Sequence, residues 1–135
     1  MESIPEADAT RPRAPGKWSR KQILGHLIDS AANNHQRFVR AQEQTRLVFP
    51  AYAQNHWVTA QRYDERAWSD LIAFWANYNR HLAHIINNLP EGDRQTLCQV
   101  GSGEPVALGF LVHDYVVHLR HHVDQIVGGT LGTAT

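Results

Sequence analysis

Cysteine is all but missing from this chain. Cys98 is the only one, which excludes an internal disulfide and any zinc module built on several cysteines. Neither sign of charge is in surplus, with 13 Lys and Arg against 13 Asp and Glu. A protein that grips nucleic acid through its phosphates needs a basic excess or stripe, and neither is visible. No apolar run approaches the roughly 20 residues of a membrane-spanning helix. The opening segment MESIPEADATRPRAPG has no apolar stretch of the kind a secretory signal carries. The expectation is a soluble, cytoplasmic protein with neither nucleic acid nor membrane as partner.

What is present is a chain of 135 residues, 42% of them hydrophobic, enough for one domain with a real core. Residues 1–16, with three prolines and scattered charge, read as a loosely docked N-terminal arm, and residues 17–130 as a single helical domain. Ser19 is an N-cap candidate, and Leu24, Leu27, Ile28, Ala31 and Phe38 recur at helical spacing behind it, predicting a helix to about Gln44. Residues 46–66 hold Pro50 and the aromatics Phe49, Tyr52, Trp57 and Tyr63. They read as a connector around a short second helix, able to line a pocket or a dimer seam. Leu71, Trp75, Tyr78, Leu82, Ile85 and Leu89 mark a third helix that Pro90 stops. Gly101, Gly103 and Pro105 between short apolar runs predict a small hairpin or ordered loop over Thr96–Val106. A last helix over Leu108–Val127 is expected to end at Gly128-Gly129. The predicted fold is therefore all-α, an up-and-down bundle with over half of its residues helical.

The chain has nine histidines, an excess that asks for a chemical reason, because histidine is the commonest metal ligand. Two ligands on one helix must share a face, which means a spacing of three or four residues. His118 and His122 meet that condition. Random placement of nine histidines would give about half of one such pair, so spacing alone is weak support. The helical wheel adds more. Leu108, Leu111, Val112, Tyr115, Leu119, Val123 and Ile126 define the apolar arc of the last helix; His122 lies inside it and His118 at its edge, while His113, His121 and Asp124 point away. Imidazoles pressed against a core without partners each cost about 1–3 kcal/mol. Either a shared metal or hydrogen bonds to neighbouring groups removes that cost, and the pattern alone leaves both open. A third ligand has two candidates on other helices, His26 and His81. His35, His56 and His84 lack supporting context.

Two segments then resemble a known family. WSRKQILGHLIDSAANNHQR is similar to the first helix, and LGFLVHDYVVHLRHHVDQI to the last helix, of the DinB/YfiT-like metal-binding four-helix bundles. The resemblance spans about residues 17–127. It implies a four-helix bundle whose metal-binding histidines fall on His26, His118 and His122, with His121 as the neighbouring non-ligand. It also implies one divalent ion, zinc or nickel, and a metal-dependent activity. Several members are thiol-dependent S-transferases or isomerases, so a low-molecular-weight thiol attacking an electrophilic small-molecule substrate is the implied chemistry.

The residues leave two other readings open. One is a metal-assisted hydrolase, for which no clear general base stands near the triad in the sequence. The other is a non-catalytic metal- or ligand-binding bundle, with His81 as the natural closing ligand. Ser30 and Asn33 follow His26 on its flank, Tyr115 is a weak catalytic candidate able to donate to substrate, and Asp114 precedes His118 by one turn and could orient it. Cys98 reads as a small, buried hydrophobe and not as a nucleophile. A homodimer is expected from the general habit of bundles this size.

Overall fold

The computed structural model describes residues 1–128. Eight elements follow in chain order: α1 (Glu6–Thr10), α2 (Arg20–Arg40), β1 (Arg46–Phe49), α3 (Gln54–Gln61), α4 (Trp68–Asn87), β2 (Leu97–Val100), β3 (Val106–Ala107) and α5 (Leu108–Gly128). With 67% of its residues helical, the molecule is a four-helix bundle in which α2, α4 and α5 are long and α3 is short. The expected end of the last helix falls at the margin, since Gly128 belongs to α5 and Gly129 lies outside the described residues. Among the described residues no helix is long and apolar enough to cross a membrane.

The start of α2 shows how the sequence sets it. Ser19 Oγ accepts from the Gln22 amide at 3.1 Å, and Gln22 Oε1 accepts from the Ser19 amide at 2.9 Å. This reciprocal box satisfies two of the donors that every helix N-terminus leaves open. α2 then runs through the middle of the molecule, packed against α3, α4 and α5, and most of its residues are buried. Two apolar clusters form around it. Ile23, Leu24, Leu27 and Ile28 join Val58, Trp68, Leu71 and Ile126 in the first. Ala31 and Phe38 join Leu47, Leu82, Cys98, Leu108 and Tyr115 in the second. Each fully buried Leu or Ile contributes about 1.5–3 kcal/mol. On α5, His118 and His122 fall between Tyr115, which feeds the second cluster, and Ile126, which feeds the first.

Two expectations are corrected here. Residues 1–16 do not hang loosely, because Ile4 and Ala9 are buried in the first cluster. Glu6 binds the Trp68 amide at 2.9 Å and the Lys21 ammonium at 2.6 Å, and the Trp68 indole donates to the Met1 carbonyl; residues 11–17 form the one unbroken exposed stretch that follows. The sheet is also larger than a hairpin. β2 and β3 pair antiparallel as expected, but β1 adds a third strand, parallel to β2 with Leu47 opposite Cys98. A four-residue strand whose partner lies some 50 residues away carries too few alternating positions to declare itself.

Candidate metal centre

Three histidines from two helices meet at one point. His118 Nε2 lies 3.3 Å from His26 Nε2 and 3.1 Å from His122 Nε2, and a ligating nitrogen from each of the three lies within 4.8 Å of the others. The i,i+4 spacing stacks His118 and His122 on the inward side of α5, and α2 brings His26 against them. His26 is 1% exposed, with the Trp18 ring centred 5.1 Å away. His121, one residue earlier than His122, is exposed. The wheel reading of α5 holds at each of these positions.

The donor set fits a divalent cation. Ligands about 2.0–2.1 Å from a tetrahedral ion stand roughly 3.3–3.4 Å apart, close to the 3.3 and 3.1 Å that separate His118 Nε2 from the other two nitrogens. Protonation states agree. Gln125 Oε1 accepts from His122 Nδ1 at 2.7 Å, which leaves Nε2 as the bare lone pair facing His118. Charging any ring is disfavoured. Burial, reinforced by the charges of His118 and His122, pushes His26 down to about 4. Burial likewise lowers His118 and His122. Neutral imidazoles are the form that binds metal. His26 Nδ1 is buried with no partner among the described residues.

His81, the rival third ligand, is elsewhere. It lies exposed on α4, its ring 5.4 Å from that of His35 and 6.4 Å from that of His84. No fourth His, Cys or carboxylate joins the triad among the described residues. His35 has context that its sequence neighbourhood lacks, its Nδ1 meeting the Tyr78 hydroxyl at 2.8 Å.

Beside the triad is a cavity of about 260 Å³, with His118 in its wall together with Ser30, Tyr52, Asp114 and Tyr115. Asp114 makes no hydrogen bond to His118; its carboxylate stands in the same wall and favours the charged form of that ring. The Tyr115 hydroxyl is committed to Asn79 Oδ1 on α4, and burial raises its pKa. Asn33 is turned away, donating to the Asp29 carbonyl at 2.9 Å. The aromatic connector divides: Tyr52 lines the cavity, whereas Tyr63 enters the core and donates to Asp29 Oδ1 at 2.6 Å. Gly25 leaves room for that ring, since a Cβ there would stand 2.1 Å from it. Cys98 is fully buried and burial raises its thiol pKa, so it is the inert hydrophobe expected.

Sequence reasoning missed two residues of the site. Gln125 holds the His122 ring, and Arg37 lines the cavity. The signal for Arg37 was available: His26, Ser30, Asn33 and Arg37 lie within about 60° of one another on the α2 wheel, a polar stripe along one side of the helix.

No curated protein matches the chain. Among solved structures, YfiT from Bacillus subtilis superposes with a TM-score of 0.84 at 20% identity, covering 96% of this chain and 75% of that one. YfiT is described as a probable metal-dependent hydrolase with an unusual four-helix bundle topology, and the likeness to it is one of fold. A family model matches residues 1–126, and by that match the chain belongs to the DinB superfamily.

Proposed function

We propose that this protein is a metal-dependent enzyme whose ion is held by His26, His118 and His122, and that it transfers a low-molecular-weight thiol to an electrophilic carbon. The observation that carries the metal reading is the convergence of three imidazole nitrogens beside a cavity that His118 lines, with no fourth protein ligand among the described residues. A divalent ion on three neutral imidazoles keeps its full charge and an open position, and supplies the Lewis acidity that lowers the pKa of a bound water or thiol. The chain's own residues do the rest. Gln125 fixes the ring of His122, Trp18 packs against His26, and Asp114 places an exposed carboxylate in the cavity wall. The thiol comes from outside, because Cys98 is buried and its thiol is held protonated. What supports the thiol in particular is the family resemblance of the two histidine segments.

A hydrolase is the second reading, favoured by Asp114 as a carboxylate beside His118 and by what is said of YfiT. The two readings separate in one experiment. Zinc- or nickel-loaded protein is given an activated aryl halide with and without a small thiol. In thiol transfer a C–S bond forms, the carbon–halogen bond breaks, and the thiol proton passes to solvent. Product formation that needs both metal and thiol, and survives Cys98→Ala, is the expected result. Ester or amide turnover with no thiol present would replace this reading with the hydrolase.

A further inference from the structure

Arg37 is a buried cation without an anion. It sits in the last turns of α2, 8% exposed, and no carboxylate among the described residues comes within 4.0 Å of it. Its Nε is buried and has no hydrogen-bond partner. Nη1 reaches only Asn34 Oδ1, at 3.5 Å, a long contact between neighbours on the same helix. The Phe49 ring lies 5.4 Å from its Cζ, and the C-terminal end of α2 supplies a favourable dipole. Those two contacts steady the charge and leave its planar fork of donors unused. A buried guanidinium keeps its proton, so the unmet demand is for an acceptor.

That demand opens on the cavity already described. Along α2 the cavity is lined by Ser30, Asn34 and Arg37, and along α5 by Leu111, Asp114 and His118. Seven residues on each helix span about 10 Å. His118 meets His26 and Tyr115 meets Phe38, so the two helices run antiparallel here, with Arg37 at the end of the cavity away from the triad. Asp114 stands between, exposed, and its charge excludes an anion from the middle stretch.

We propose that Arg37 is the anion-recognition residue of this cavity, binding a carboxylate or phosphate of the substrate whose reacting end lies at the three histidines. The anion site stands on Arg37 and the cavity alone; the placement of the reacting end rests on the metal reading above. The guanidinium fork matches two oxygens of a carboxylate at once, and Ser30 and Tyr52 add hydroxyls to the same wall. At about 260 Å³ the cavity is near the small end of ligand sites, which run from about 300 Å³ upward. The substrate class is a small, elongated organic anion with its charge about 10 Å from the reacting atom.

The test uses the zinc-loaded full chain, titrated with hexanoate and with hexan-1-ol as a neutral probe of equal length, while NMR follows the Arg37 Nε–H signal. Hexanoate should shift that signal saturably and bind at least tenfold tighter than hexan-1-ol. Arg37→Met should remove that advantage and leave hexan-1-ol unchanged. Arg37→Lys, which keeps the charge and loses the fork, should bind hexanoate severalfold more weakly than the parent and remains readable if the methionine variant does not fold. Competition by inorganic phosphate would show a general oxyanion site, and its failure a carboxylate site. His122→Ala should retain hexanoate binding, so the anion site survives even if no metal binds. Equal affinity for the two probes, or hexanoate binding that vanishes in His122→Ala and persists in Arg37→Met, would overturn the proposal.

Discussion

Two histidine clusters straddle α2, and only one is arranged as a ligand set. On one side His26 faces His118 and His122 of α5; on the other His35 faces His81, which neighbours His84 on α4. Each unites three imidazoles from two helices. In the first, Nε2 atoms approach to 3.1 and 3.3 Å beneath Trp18. In the second, His81 and His84 are exposed and the His35 nitrogen is taken by Tyr78. Water can solvate the second cluster at no cost. In the first, His26 is buried and three ring nitrogens converge, an arrangement that one cation satisfies at all three together. Proximity of histidines is therefore a poor guide; direction and burial of their nitrogens decide.

The sharpest way to break this comparison is metal content. His118→Ala or His122→Ala should drop from one ion per chain to nearly none by elemental analysis, and His26→Ala likewise. His81→Ala with His84→Ala should leave the full ion in place, as should His121→Ala. Equal losses in both clusters would erase the distinction.

Acid stability is the next largest effect. His26 is lowered from an ordinary 6.5 to about 4, so between those pH values the unfolded metal-free chain binds a proton that the folded chain refuses. Folding stability is then fully present above about pH 6.5 and is lost as pH falls towards 4, by about 3 kcal/mol from this ring alone. Denaturant titrations of chelator-treated protein across that window check it, and His26→Leu should flatten the slope. The second cluster offers less, because His35 is lowered by burial but only half buried. In the loaded protein the same protonation releases the metal, so activity should fall with pH as well.

The smallest effect sharpens the geometry of one ligand. Gln125→Ala should weaken metal binding about 10- to 100-fold in a chelator competition, by freeing the His122 ring. Gln125→Glu keeps an acceptor at Nδ1 and should bind at least as well as the parent. An unchanged affinity in Gln125→Ala would show that the bond at 2.7 Å holds nothing the packing of α5 does not already hold.

Much of this molecule was legible from residue order. The helix start at Ser19, the α4 stripe ended near Pro90 and the α5 start at Leu108 are local events, set by capping groups and a 3.6-residue period within a few turns. The inward pair His118 and His122, and the outward His121, followed from the same wheel. The arm was misread because Ile4 and Ala9 are two apolar residues among prolines and charges, and their burial depends on a surface that α2 and α4 make together. β1 was missed because its partner strand comes from the far side of α4.

The sequence by itself determined the helices, their buried faces and the two ligands that share one of them, since each is a property of a single stretch of chain. The helical pattern left His26 and His81 both open, the family resemblance pointed to His26, and the tertiary structure brings His26 and not His81 to the pair. Both flank the apolar face of their own helix, and only the packing of α2 against α5 brings one within 3.3 Å of His118. The tertiary structure also decided that Arg37, one position of a polar stripe on the α2 wheel, lies buried beside that site without an anion. Burial and solvation belong to the assembled molecule, and no local pattern carries them.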